Sequence, residues 1–196
     1  GNTVPAGTIE GCTVGIPGWV NVENGIAAAA AALLGGLEPQ EVKEALAAFQ
    51  GVERRFDVHI NTPKITYIDD YAHHPRELSS AISSIRNIFP GRKITAIFQP
   101  HLYTRTRDFA AEFAQSLSML DELILLDIYP ARELPIEGVT SEIIFKDVAA
   151  GKKTLMKKEE VLDFLKEKEL DILITFGAGD IDRLIVPIET MLNGRL

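Results

Sequence analysis

The stretch DDYAHHPRE, residues 69–77, places two acids, a tyrosine and two histidines within six positions, immediately before a proline. Buried without partners, such groups would cost folding energy, so they read as the rim of a site. Several chemistries use these residue types. Asp70, His73 and a third histidine, His101, could hold a metal ion for hydrolysis, because imidazole and carboxylate suit zinc. Asp69 and Asp70 do not make a glycosidase-like pair, since adjacent side chains on an extended chain point opposite ways. One of them is expected to face the fold and the other a ligand. His74, beside Pro75, reads as a helix-start residue. A second cluster, QPHLYTRTRD at 99–108, contributes His101 and Arg105. A surface salt bridge is the ordinary role of such an arginine, but a guanidinium also matches a carboxylate bidentately.

These residues need elements to hold them. Apolar strands are expected at 65–69, 93–98, 122–128, 153–157 and 171–176, with helices between them. Residues 75–89 carry Leu78, Ile82, Ile85 and Phe89 on one stripe, and Phe109, Phe113, Leu117 and Leu120 form the next. Thr140 or Ser141 could cap a third helix; 159–168 and 181–192 supply two more. Single helices between apolar strands imply an α/β fold: a Rossmann-like, mostly parallel sheet with helices on both faces. VHIN at 58–61 is expected to add an antiparallel strand. Ligands of such sheets bind beyond the carboxyl ends of the strands. DDYAHHP, QPHLYTRTRD, DIYPARE and GAGDID each follow a strand, so four polar loops should share that edge.

Residues 1–52 differ. A Gly/Thr-rich start leads to NGIAAAAAALLGG, an Ala-rich helix stopped by Gly35 and Gly36, and then to a helix opened by Pro39 with Val42, Leu46 and Phe49 on one face. Asn21 and Asn24, three apart at a helix start, suit capping. Two helices make no domain alone, so this stretch reads as the end of a truncated one, with 51–57 as linker. The bulk properties exclude several classes. The single cysteine, Cys12, cannot form an internal disulfide and fits a reducing compartment. A net charge of −8, from 20 basic and 28 acidic residues, argues against a nucleic-acid surface. No apolar run is long enough to span a bilayer, and GNTVPAG lacks the pattern of a signal peptide.

Six separated motifs, VNVENG at 20–25, ERRFD at 53–57, DDYAHHPRE, FQPHLYTRTRDF at 98–109, DIYPARELPIEGVTS at 127–141 and GAGDI at 177–181, resemble the Mur ligases. The QPH…TRT and YPARE blocks are most similar to the member that adds L-alanine to UDP-N-acetylmuramate in peptidoglycan synthesis. The resemblance implies a cytoplasmic, ATP-dependent ligase. ATP phosphorylates a carboxylate and the amino group of L-alanine attacks the acyl phosphate. It also implies that 1–52 is the remnant of a central ATP-binding domain and 53–196 the C-terminal α/β domain, the other domains lying on the missing part of the polypeptide. By the same resemblance Asn21, Asn24, Arg55 and Asp70 face the nucleotide, Asp70 on the ribose side. Tyr71, His73, His101 and Arg105 then line the amino-acid or acceptor pocket. Val20 and Leu102 stand where the family often carries His and Arg.

No phosphate-cradling GxxxxGK[ST] occurs; Gly151-Lys152-Lys153-Thr154 lacks its first glycine and has Lys where Ser or Thr should follow. The phosphate cradle and most Mg2+ ligands are therefore expected outside this chain, which should not turn over alone. Gly177 and Gly179 read as a tight strand-to-helix turn. The competing readings are the metal-dependent hydrolase built on Asp70, His73 and His101, a non-catalytic binding module, and a sibling ligase that recycles a murein tripeptide.

Overall fold

The computed structural model describes residues 8–196, so the reading of GNTVPAG lies outside the described residues. The chain divides into two compact units, Gly1–Glu53 and Arg54–Leu196.

In the first unit, α1 spans Trp19–Leu34 and α2 spans Pro39–Ala48. The alanine run favours helix because Ala loses no side-chain freedom on ordering. Gly36, at φ 94°, then ends it. Leu37 N–H donates to Ala32 O and Gly36 N–H to Leu33 O, both at 3.1 Å, which satisfies the carbonyls the helix leaves open. The helix begins earlier than the alanine run suggests, at Trp19, so Asn21 and Asn24 lie inside it and neither is its cap. That position belongs to Gly18. Pro39 opens α2, with Glu41 reaching back 2.9 Å to the N–H of Glu38. Phe49 falls just past the end of α2 and is exposed.

The second unit starts where a linker was expected. Arg54 and Phe56 take left-handed backbone, at φ 63° and 51°, and turn the chain directly into β1, Asp57–Asn61. Five further strands follow: β2 Thr66–Asp70, β3 Ile94–Phe98, β4 Glu122–Leu126, β5 Lys152–Met156 and β6 Ile172–Phe176. Their order across the sheet is β1-β2-β6-β3-β4-β5. Only β1 is antiparallel. Because β6 returns between β2 and β3, the loops that follow these three strands become neighbours.

Successive residues of a strand face opposite sides of the sheet, and the two cores follow that period of two. Ile68, Ala96, Phe98, Leu123, Leu125 and Ile174 pack one face with α3 (Pro75–Ile88), α5 (Ala110–Leu117) and α6 (Glu142–Phe145). Tyr67, Ile97, Ile124, Leu126 and Leu173 pack the other with α7 (Val161–Lys166) and α8 (Ile185–Asn193). Each large side chain fully buried this way contributes about 1.5–3 kcal/mol.

The helix expected from Phe109 onward forms as α5, Ala110–Leu117. An additional short helix, α4, Tyr103–Asp108, comes before it, and the chain turns at Phe109. The Gly151-Lys152-Lys153-Thr154 segment runs into edge strand β5. Lys153 there donates to the open carbonyls of Phe145 and Val148 after α6, at 2.7 and 2.8 Å. Ser141 donates instead to Leu126 O, and it is Thr140 whose hydroxyl accepts the Glu142 N–H at 3.3 Å.

Candidate functional site

In the first unit, buried Asn21 donates from its side chain to Pro17 O at 2.5 Å, whereas Asn24 is exposed. The remaining expected site residues belong to the second unit.

The end of β2 places Asp69 and Asp70 on opposite sides, and both carboxylates meet protein. Asp69 is fully buried; it accepts from Thr175 Oγ1 at 2.5 Å and from Arg54 Nε at 3.1 Å. Burial raises its pKa despite these partners. Asp70 accepts the N–H groups of Ala72 at 2.8 Å and Phe56 at 3.0 Å. Burial nevertheless lifts its pKa to about 6, because two neutral donors compensate an anion only in part. The expectation that one acid faces fold and the other ligand thus needs amending: both are tied into the fold, and Asp70 holds the turn on which Arg55 sits.

Of the adjacent arginines, Arg54 is the engaged one. Its guanidinium donates to Asp69 and, at 2.7 Å, to Gly177 O, and it lies over the Tyr71 ring at 5.2 Å. Its carbonyl accepts the N–H of Tyr71 at 2.6 Å. Arg55 is exposed and has no ion pair among the described residues. Sequence reasoning passed over Arg54, since neighbouring arginines give no sign of which one turns inward.

The four expected pocket residues come together. The rings of Tyr71 and His73 meet edge to face at 5.2 Å, and those of His73 and His101 at 5.9 Å. Arg105 Nη1 donates to His101 Nδ1 at 3.5 Å. Burial first, then the nearness of Arg105 and His73, push the His101 pKa down. His101 is also stacked on Tyr129 at 5.7 Å, and it is bridged to Tyr129 through the backbone, which carries β3 and β4 past their named ends. Leu102, at φ 73°, then turns the chain into α4. His74 is indeed a helix-start residue: its Nδ1 accepts the Arg76 N–H at 3.4 Å, and Glu77 bonds back to the His74 N–H at 3.1 Å.

Three supports went unread in the sequence. Glu133 accepts the N–H of Thr104 at 3.0 Å and its hydroxyl, pinning the start of α4. Gln99 donates to Asp180 at 2.9 Å and accepts from Ile181 N–H at 3.0 Å, and Lys158 contacts the same Asp180. Tyr129 lies against Gly179, where a Cβ would come within 2.6 Å of the Tyr129 ring and of Gln99 Oε1. Gly177 and Gly179 are therefore required by close approach as well as by the turn.

This geometry does not favour the hydrolase reading. Asp70 is committed to backbone N–H groups, and among the described residues no three His, Cys, Asp or Glu side chains are grouped to hold a metal ion.

A six-stranded, mostly parallel sheet with helices on both faces defines an α/β domain, a class whose ligands bind beyond the carboxyl ends of the strands. Residues 54–179 match the family model "Mur ligase, glutamate ligase domain", and the chain belongs to the Mur ligase family. It is 56% identical, over 91% of its length, to a UDP-N-acetylmuramate–L-alanine ligase of Parabacteroides distasonis and 52% identical, over 96%, to that of Phocaeicola vulgatus. It spans 39% and 42% of those two proteins, about two fifths of their length. Among solved structures, the UDP-N-acetylmuramate–alanine ligase of Thermotoga maritima superposes with a TM-score of 0.77 at 26% identity, covering 94% of this chain and 40% of that one. A murein peptide ligase of Psychrobacter arcticus shares the fold, with a TM-score of 0.67 at 21% identity over 92% of this chain and 38% of that one.

Proposed function

We infer that this chain is the amino-acid-accepting part of a cytoplasmic, ATP-dependent ligase that joins L-alanine to UDP-N-acetylmuramate through an acyl phosphate. Residues up to Glu53 then belong to the central ATP-binding domain, and Arg54–Leu196 form the C-terminal domain. The observation that carries the reading is Arg105. It is half-buried at the carboxyl edge, it bonds His101, and it has no carboxylate partner among the described residues. A guanidinium held this way is matched to a carboxylate from outside, such as that of an amino acid. Names carried by relatives 52–56% identical support alanine as that amino acid.

Tyr71, His73, His101 and Arg105 form the pocket wall in this reading. Nucleotide-facing roles are assigned to exposed Arg55 and to Asp70, on the ribose side, in the second unit, and separately to Asn21 and Asn24 in the first. ATP and Mg2+ are needed for carboxylate activation. The described residues offer no group of three metal-ligating side chains, so the Mg2+ ligands are assigned to the rest of the polypeptide and no step is routed through the ion.

The test is kinetic, in a polypeptide of the relatives' full length. Losing a charge-assisted carboxylate contact costs roughly 1.5–3 kcal/mol, or about ten- to a hundredfold. Arg105→Ala should lower kcat/KM for L-alanine by at least about tenfold while leaving the KM for ATP alone, with Arg105→Lys restoring part. Near-normal alanine kinetics in Arg105→Ala would refute the assignment. The present chain alone should release no phosphate from ATP when given L-alanine and UDP-N-acetylmuramate.

A further inference from the structure

The two pocket histidines are locked by their neighbours in opposite tautomers. His73 Nδ1 lies 2.9 Å from the carbonyl oxygen of Tyr71. A carbonyl can only accept, so this nitrogen carries the proton and Nε2 keeps its lone pair. The same Nδ1 is 3.4 Å from Glu77 Oε2. That oxygen is itself fixed by the N–H groups of His73 and His74, at 2.9 and 3.1 Å, as part of the cap of α3. His101 is the reverse case. Its Nδ1 faces Arg105 Nη1 at 3.5 Å, and a guanidinium can only donate. Nδ1 is therefore the acceptor, and Nε2 carries the proton.

We propose that Glu77 and His73 act as a carboxylate–imidazole base that removes a proton from the incoming ammonium group, while His101, through Nε2–H, donates beside Arg105 to the carboxylate of the same amino acid. The proposal rests on the ligase reading above. An amino acid arrives as an ammonium ion, which has no lone pair for attack. Its proton passes to His73 Nε2, and the resulting imidazolium is stabilised by Glu77 across Nδ1–H. The amine nitrogen then forms its bond to the acyl carbon as the bond from that carbon to the phosphate oxygen breaks. The second nitrogen proton leaves with the phosphate as hydrogen phosphate, and His73 returns its proton to solvent. One ammonium and one acyl phosphate thus give one amide, one hydrogen phosphate and one proton.

The charged and titratable groups that face His73 are Glu77, His101 with Arg105 behind it, and Tyr71 with Arg54 over its ring. The His73 side chain is 22% exposed, open enough to exchange a proton.

Two measurements test the pair. Nitrogen-15 NMR of this chain at neutral pH should show His73 protonated at Nδ1 and His101 at Nε2. The opposite tautomer at His73 would overturn the proposal without touching the ligase reading. In the full-length polypeptide, His73→Asn keeps a donor near the Nδ1 position but removes the base. It should lower kcat with L-alanine by about 10²–10³-fold, with a rate that climbs with pH and is partly restored by added imidazole. Hydroxylamine needs no base because it is already neutral at pH 7. Hydroxamate formation by His73→Asn should therefore fall by a clearly smaller factor than amide formation from L-alanine. Glu77→Gln, which keeps the cap acceptor but not the charge, should fall between the two. Equal losses with alanine and hydroxylamine, or an alanine kcat within about threefold of normal, would overturn the base assignment. An unsubstituted enzyme that forms neither product would instead overturn the ligase reading.

Discussion

The two ends of the sheet use the same residue types to opposite purpose. At the amino end the charges are matched. Arg92 contacts Asp171 and donates to Thr66 Oγ1 at 2.8 Å and Asp171 O at 2.7 Å. Buried Glu122 meets Lys93 at 2.6 Å and also contacts Lys168. Together the two ammonium groups outweigh burial and hold the Glu122 carboxyl below its usual pKa. At the carboxyl end Arg54 is matched by Asp69 and Lys158 by Asp180, but among the described residues Arg55 and Arg105 have no carboxylate partner, and the His73 and His101 rings meet beside Arg105. The guanidinium groups of Arg55 and Arg105 leave local positive charge at that rim in a chain whose net charge is −8.

The comparison can be broken by removing one member from each end. Arg54→Ala, which strands the buried Asp69 charge, should have the largest effect, about 3–5 kcal/mol in urea unfolding of this chain. A loss below about 1 kcal/mol would mean that Asp69 simply protonates. Asp70 comes next. Its pKa rises from 3.8 to about 6 on folding, so the protonated form is favoured in the fold. Its contribution to stability is therefore full below pH 3.8 and declines as pH rises through 6. The offset corresponds to roughly 1–3 kcal/mol, and Asp70→Asn should flatten that part of the stability–pH curve. At the amino end, Glu122→Ala should cost only about 1 kcal/mol, because Lys93 and Lys168 can turn to water. A loss as large as that of Arg54→Ala would erase the distinction between the ends. Arg55→Ala should change stability by less than about 0.5 kcal/mol, and in the full-length polypeptide it should raise the KM for ATP.

How much of this was legible in the sequence depended on the range of the signal. Strands of isoleucine and leucine separated by amphipathic helices declared the parallel sheet, and even the antiparallel β1 could be read from VHIN at 58–61. The meeting of Tyr71, His73, His101 and Arg105 followed from one rule about strand ends and from the family motifs. The inward turn of Arg54 did not follow, because it depends on a left-handed φ and on a carbonyl, Gly177 O, that lies 123 positions away. Nor did the early start of α1: Trp19 and Val20 carry little helix preference, and the alanines after them draw the eye downstream. Glu133, Gln99 and Tyr129 stood in quoted motifs without assigned work, since each acts on a loop from a different strand.

The place of β6 has a consequence during synthesis. It fills the slot between β2 and β3, and its Thr175 meets Asp69 of β2 across a separation of 106 positions. At roughly 5–20 residues per second, a ribosome needs on the order of 5–20 seconds to bridge that distance. Throughout that interval β2 has only β1 to pair with, and β3 lacks the neighbour it will have on that side. Both carry apolar side chains on both faces. The emerging chain thus presents open strand edges until its last strand arrives, which makes this gap the natural place for a chaperone to act and the stretch where a stalled ribosome would leave the most aggregation-prone product.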